Sequence, residues 1–176
     1  FAAPVGEKKD LILFQMARLS FDLNEQNRAL QAWYQLTEHA ERKDLKREAA
    51  LRIAEIKELS NKLPEIEESY RLYDLATSLC DTNSLKAYVL YRKSWAAYRL
   101  GRSNQAVQLA DQSLALARAE DQKQILTDLT LFIAHSPMAV EKAIAQVENY
   151  EKTYQKMPLV SMLAESYQTA DQIHSF

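Results

Sequence analysis

Apolar residues recur at helical spacing along almost the whole chain. One stripe, with residues three to four apart, comprises Ala106, Val107, Leu109, Ala110, Leu114 and Ala117. The segment before it carries Tyr88, Leu90, Tyr91, Ser94, Trp95, Ala97 and Tyr98. We expect Gly101 to end the first helix in the left-handed conformation and Ser103 to cap the second through its hydroxyl. The pattern predicts a helical hairpin.

Composition extends the helical prediction to the rest of the chain. Hydrophobic residues make up 47% of the sequence, whereas glycine occurs 2 times and proline 4 times. Compact β-rich folds need more of both for their turns, and the abundant residues here favour helices. Pro64 is expected in the first turn of a helix, where Glu65 complements the helix dipole. Ser136 is expected as an N-cap before a first-turn Pro137.

One segment carries a family resemblance. Residues 90–106 place a small residue at Ser94, glycine at Gly101 and alanine at Ala106. This spacing resembles one tetratricopeptide repeat, a helix–turn–helix of about 34 residues. In that family the small residues let the two helices of a pair approach closely.

The same frame fits other segments less closely. Near Leu13 to Leu36, the small positions fall on Ala17 and Ala29, Trp33 takes a large apolar position, and Asn24 replaces the turn glycine. A looser copy runs from Arg47 to Ala76 if a short insertion is allowed near 61–64. It carries Ala54, Ser69, Tyr73 and Ala76.

The resemblance implies an all-α fold of tetratricopeptide-like helical hairpins, stacked into a right-handed superhelical solenoid. We expect one domain over residues 1–176, with repeats at about 10–42, 47–80, 85–118 and 121–155, and a partial or capping helix at 159–176. The alternative is an ordinary helical bundle without repeat symmetry. Because both ends look cut, we expect a fragment of a larger protein.

The sequence lacks the features of most catalytic and nucleic-acid-binding sites. With 22 basic and 24 acidic residues, it has no cationic footprint for DNA or RNA. Cys80 is the only cysteine and is expected in the core. His39, His135 and His174 have no metal-ligand spacing, and two glycines cannot build a phosphate-binding loop. We therefore predict no enzyme activity, no cofactor, no metal site and no nucleic-acid partner.

Compartment stays open at this level. No apolar stretch approaches the roughly 20 residues of a membrane span, so we predict no membrane insertion. The segment 1–4 is consistent with the remnant of a removed signal or with a cut made elsewhere. A bacterial envelope or periplasmic protein and a cytoplasmic one are equally consistent.

The resemblance also implies a binding groove, because the first helix of each tetratricopeptide pair lines a concave surface. Its positions comprise Phe14, Arg18, Phe21, Glu55, Glu58, Tyr88, Tyr91, Trp95, Tyr98 and Arg99. The groove is expected to hold a peptide or helix with apolar and basic side chains, drawn by the aromatics and by an acidic strip at Glu55 and Glu58. The competing interpretation is that the aromatics pack against neighbouring helices.

Two other classes of function stay open beside this interaction scaffold. A self-assembling structural scaffold would associate through its terminal repeat face, as a homodimer through the C-terminal helix that carries Leu163 and Tyr167. A small-molecule pocket between repeats is the third class. Binding of a chaperone tail is disfavoured, since only Arg92 agrees with that sub-type's carboxylate-binding pattern.

Overall fold

Helix-forming sequence with few glycines and prolines produces helices throughout the described chain. The computed structural model describes residues 5–154 and 157–173, with side chains in the last helix described to residue 169. Within these ranges the backbone forms nine helices and no strand. They are α1 (Val5–Asp22), α2 (Gln26–His39), α3 (Lys43–Glu58), α4 (Leu63–Ser78), α5 (Asn83–Arg99), α6 (Ser103–Leu116), α7 (Gln122–Ala134), α8 (Val140–Tyr154) and α9 (Leu159–Ile173). The predicted all-α class is confirmed.

The helices group into two compact units, divided between Asp81 and Thr82. The N-terminal unit contains α1 to α4 and the C-terminal unit α5 to α9. Consecutive helices pack together within each unit. The solenoid and the boundaries of the repeats stay predictions.

Two hairpin turns use the left-handed conformation that the sequence predicted. Gly101 has φ 73° and Asn24 has φ 64°. After each of them, a backbone N–H reaches back five residues, from Arg102 to the carbonyl of Ala97 at 2.9 Å and from Glu25 to the carbonyl of Ser20 at 2.8 Å. These bonds satisfy carbonyls at the helix ends, so both turns stop a helix and reverse the chain in the same way.

Other predicted helix ends are corrected by the structure. Ser103 is the first residue of α6, and the capping position belongs to Arg102, which makes no side-chain cap bond. Ser136 does not cap α8, because α8 begins four residues later at Val140. The Ser136 hydroxyl instead donates to the carbonyl of Ile133 at 2.7 Å. Pro64 lies in the first turn of α4 as predicted. Cys80 is only half-buried, just beyond α4.

Small residues let the helices of the N-terminal unit pack closely, as the repeat pattern predicted. Ala17 of α1 and Ala29 of α2 are buried in one cluster with Trp33. Between α3 and α4, the Ser69 hydroxyl donates to the carbonyl of Ala54 at 2.8 Å. Such a bond satisfies a buried hydroxyl and allows the two backbones to approach.

The C-terminal unit begins with a similar pair of helices, α5 and α6, but its last three helices pack differently. Ser94 and Ala106 are fully buried between α5 and α6, and the Ser113 hydroxyl donates to the carbonyl of Ala87 at 2.7 Å. After that, α7 packs mainly against α6 and α9, while α8 packs against α9 and contacts α7 only slightly. Leu163 of α9 lies inside this unit with 1% exposure.

Candidate binding surfaces

In the N-terminal unit, a cleft opens between α1 and α3. Its volume is about 480 Å³. We call it the α1–α3 cleft, and its walls comprise Phe14, Arg18, Phe21, Asp22, Trp33, Glu48 and Arg52. The structure therefore brings together three residues that the repeat frame placed on one groove.

The α1–α3 cleft combines an aromatic side with mixed charges. Phe21 contacts the ring of Trp33, with centroids 5.6 Å apart. Arg52 is bound to Glu55 at 3.0 Å, whereas Arg18 is exposed and makes no ion pair within the described part of the chain. The cleft thus presents the guanidinium of Arg18, which has no ion-pair partner among the described residues, beside exposed aromatic surface.

Trp33 forms part of this cleft although its side chain is almost completely buried, with 1% exposure. Its indole Nε1 is buried and has no hydrogen-bond partner among the described residues. A buried donor without an acceptor weakens the fold by about 1–3 kcal/mol relative to a paired one. The indole therefore contributes to the core through its apolar area.

The acidic strip predicted on α3 is largely absent from the surface. Glu58 has 6% exposure and accepts a hydrogen bond from the Tyr73 hydroxyl at 2.5 Å, within the α3–α4 pair. Glu55 is half-buried and paired with Arg52. Glu58 is thus a buried partner of α4, because the large side chain at position 73 reaches across the pair and donates to it.

In the C-terminal unit, the predicted groove residues of α5 meet α7. The Trp95 indole donates to Asp128 at 3.1 Å, and the Tyr91 hydroxyl donates to the same carboxylate oxygen. Gln124 donates to this oxygen as well, at 3.2 Å. Burial and the bond to Asp128 raise the pKa of Tyr91 to about 12. Asp128 is buried, and these donors replace the water that its carboxyl group has lost.

Further along α5, the aromatic residues pack on α7. The ring of Phe132 lies 5.1 Å from that of Trp95 and 4.9 Å from that of Tyr98. The Tyr98 hydroxyl is 3.3 Å from Nδ1 of His135, and burial raises the pKa of Tyr98. These contacts correspond to the packing interpretation of the aromatic stripe. Arg99 is half-buried in the last turn of α5.

The open part of the α5 surface lies toward its N-terminal end. A cleft of 410 Å³, here called the α5–α7 cleft, is lined by Ser84, Ala87, Tyr88, Tyr91, Ala117, Glu120, Asp121, Gln124 and Ile125. Tyr88 is 41% exposed at its edge. Glu120 and Asp121 are exposed, so the rim is acidic and the wall is aromatic.

Sequence reasoning missed Asp128, which connects to three side chains of this region. A pattern that could have indicated it is a carboxylate between the apolar residues Leu126 and Leu129 of one helix. A charge on a buried face needs partners, and aromatic donors on a neighbouring helix are suitable ones. Asp128 and its donors on α5 lie more than 30 residues apart in the chain, so residue spacing could not indicate that they pair.

The remaining predictions about sites concern metals and membranes. Within residues 5–154 and 157–173, no group of three or more His, Cys, Asp or Glu side chains is arranged to hold a metal ion. Over the same residues, no helix combines the length and apolar character needed to cross a membrane. His39 is exposed and His135 half-buried, while His174 lies outside the described residues.

The comparisons with known proteins return no relative. No protein-family model, no curated protein and no solved structure matches the chain.

Proposed function

We propose that this chain is a tetratricopeptide-like interaction scaffold, with hairpins stacked into a right-handed superhelix, that binds a peptide or helix of another protein and catalyses no reaction. The observation that carries the proposal is the α5–α7 cleft. Tyr88 and Tyr91, two predicted groove positions, line an open cavity there with an acidic rim. Open aromatic surface with a polar edge is typical of sites that bind protein segments.

The chemistry of the α5–α7 cleft favours a basic side chain of the partner. Tyrosine rings accept the aliphatic stem and the charge of lysine or arginine. Glu120 and Asp121 are exposed at the rim and supply opposite charge. Trp95 and Tyr98 contribute by holding α5 against α7 rather than by direct contact, since both pack on Phe132.

The α1–α3 cleft provides a second contact of different chemistry in its own unit. Phe14 and Phe21 offer apolar surface, and the exposed Arg18 favours an acidic or carbonyl group of a ligand. An apolar partner side chain with a neighbouring acceptor fits this cleft best.

Site-specific photo-crosslinking in native extract tests the proposal. A photoreactive residue in place of Tyr88 should give one dominant protein adduct, while the same probe at Lys86, exposed on the same helix, should not. The adduct should be lost when Glu120 and Asp121 are changed to Lys.

The matched control changes the charge equally at a distance from the cleft. Glu141→Lys with Glu148→Lys alters two exposed carboxylates of α8 and should leave the adduct intact. Loss of the adduct in both double variants, or equal labelling at positions 86 and 88, would show that the cleft is not the binding surface.

A further inference from the structure

Helix α1 carries a second apolar face that the described residues of its own unit leave exposed. The exposed residues of this face, here called the α1 stripe, are Val5, Ile12, Met16, Leu19 and Leu23. Ile12 is 61% and Leu19 60% exposed. The Leu23 N–H still donates to the carbonyl of Leu19 at 2.9 Å, so the helical geometry continues through the last member.

The α1 stripe is separate from the face by which α1 joins the core. That inner face buries Asp10, Ala17 and Ser20. At about 100° per residue, the stripe lies roughly a third of a turn around the helix from these residues. Single exposed apolar residues are normal on protein surfaces. Five in one line on one helix, however, form a continuous apolar surface.

Up to residue 169, the C-terminal helix does not offer a comparable surface. Leu163 is 1% exposed and Leu159 is 2% exposed, so both belong to the core of the C-terminal unit. The exposed side chains of α9 up to residue 169 are small or polar, at Ser161, Ala164, Glu165, Gln168 and Thr169. The expected association through Leu163 therefore has no support in the burial of this helix.

The spacing of the α1 stripe indicates that its partner is another helix. Ile12, Met16, Leu19 and Leu23 follow one another at alternating steps of four and three residues, and Val5 precedes Ile12 by seven. This alternation is the seam of a two-helix coiled coil, in which the apolar positions of one helix fill the holes of the other. Lys9 occupies the remaining position of the seam.

The charges beside the stripe are complementary to those of a second copy in antiparallel orientation. Lys8 and Asp22 lie along the same edge of the stripe near its opposite ends, and neither forms an ion pair within the described residues. If Ile12 packs against Met16 of the other copy, Lys8 of each copy faces Asp22 of the other. The dimer then contains two such ion pairs. A parallel pair would instead place Lys9 against Lys9 within the seam.

We propose that the protein forms a homodimer through an antiparallel pairing of the α1 stripe with its copy. Helix α1 has 18 residues, or about 27 Å of contact length. One helix pair of this length buries less than the about 1,600 Å² of a standard stable interface. The dimer is therefore concentration-dependent. It does not require the ligand proposed above, although Asp22 also lines the α1–α3 cleft.

Sedimentation velocity over a range of protein concentrations tests the dimer. The unmodified chain should shift from monomer to dimer as concentration rises, and Ile12→Glu with Leu19→Glu should remain monomeric. Leu63→Glu, which alters a similarly exposed leucine on α4, should dimerise like the unmodified chain. Circular dichroism should show unchanged helix content in all of them, because each altered residue is exposed.

Charge reversal tests the orientation. Lys8→Glu alone should weaken the dimer about tenfold, because it replaces two attractive contacts with two repulsive ones. Adding Asp22→Lys should restore it. A monomer at every concentration, a dimer that survives Ile12→Glu with Leu19→Glu, or a double charge reversal that fails to restore binding would each overturn the proposal.

Discussion

The indole of Trp95 on α5 donates a hydrogen bond to Asp128 on α7 at 3.1 Å. Asp128 is buried, and it also accepts bonds from Tyr91 and Gln124. A buried carboxylate is stable only when donors replace the water it has lost. This cluster therefore fixes α5 against α7 and with it the wall of the α5–α7 cleft.

Asp128→Ala should destabilise the C-terminal unit by about 2 kcal/mol, because the Trp95 and Tyr91 donors lose their common acceptor. Urea unfolding followed by circular dichroism measures this. Asp121→Ala, which removes an exposed carboxylate that caps no helix through its side chain, should change the free energy of unfolding by less than about 0.5 kcal/mol. Equal losses in the two variants would show that Asp128 has no special role.

Because of Tyr91, the stability of the folded protein should depend on pH in the alkaline range. Burial and the bond to Asp128 raise its pKa from 10.0 to about 12 in the folded protein. The folded state holds the phenolic proton more tightly than the unfolded state does. The stabilisation from Tyr91 is thus fully present below pH 10 and is lost as the pH rises through about 12.

A comparison of unfolding between pH 9 and 12 tests this dependence, with the range set by the ordinary and raised pKa of Tyr91. The unmodified chain should lose more stability over that range than Tyr91→Phe, which cannot ionise there. Tyr34 and Tyr150 also have raised pKa values, and they titrate in both proteins, so the difference isolates Tyr91. Parallel curves would contradict the prediction.

Gly101 adopts φ 73°, and a Cβ there would meet no atom within 4 Å. Gly101→Ala should therefore cost about 1–2 kcal/mol through backbone strain alone. Gly101→Asn should cost less, since Asn24 adopts φ 64° in the equivalent turn of the first hairpin. Thermal unfolding of the two variants gives the order, and an alanine variant as stable as the asparagine variant would show that this strain is absent.

Leu163→Asp should unfold the C-terminal unit rather than separate a dimer, because it places an unpaired charge at a site with 1% exposure. We expect a loss of more than about 3 kcal/mol. The neighbouring change Ala164→Asp, at an exposed position, should leave the fold intact. A folded Leu163→Asp variant would mean that this face of α9 is open in solution.

Trp33 differs from Trp95 because its Nε1 has no partner among the described residues. Trp33→Phe should therefore cost only about 1 kcal/mol, since the apolar area is largely kept and no hydrogen bond is lost. Trp33→Ala should cost about 4 kcal/mol through the cavity it leaves. Similar losses in the two variants, measured by chemical unfolding, would indicate that the indole donor is paired after all.

Much of the local structure could be predicted from residue spacing. The left-handed residues Asn24 and Gly101, the first-turn Pro64 and the buried small residues Ala17 and Ala106 all follow from it. Each depends on the steric preferences of one residue or on the period of one helix. Ser103 and Ser136 are not caps, because α6 begins at Ser103 itself and α8 begins only at Val140.

Contacts between side chains of different helices required the three-dimensional structure. Several tyrosine hydroxyls of the described residues donate to a carboxylate on another helix. These bonds join Tyr34 to Glu68, Tyr73 to Glu58, Tyr91 to Asp128 and Tyr150 to Asp111. They turned Glu58 from an expected surface residue into a buried one, and they made Asp128 the centre of a site.

Periodicity therefore established the helices, several of their ends and the small residues between them, because those depend on neighbours within a few positions. It could not establish which of two apolar faces a helix buries. Leu163 and Leu19 both belong to apolar stripes, yet Leu163 is enclosed by its unit and Leu19 is exposed. That difference arises only from the packing of whole helices, which places one stripe against a neighbour and leaves the other facing solvent.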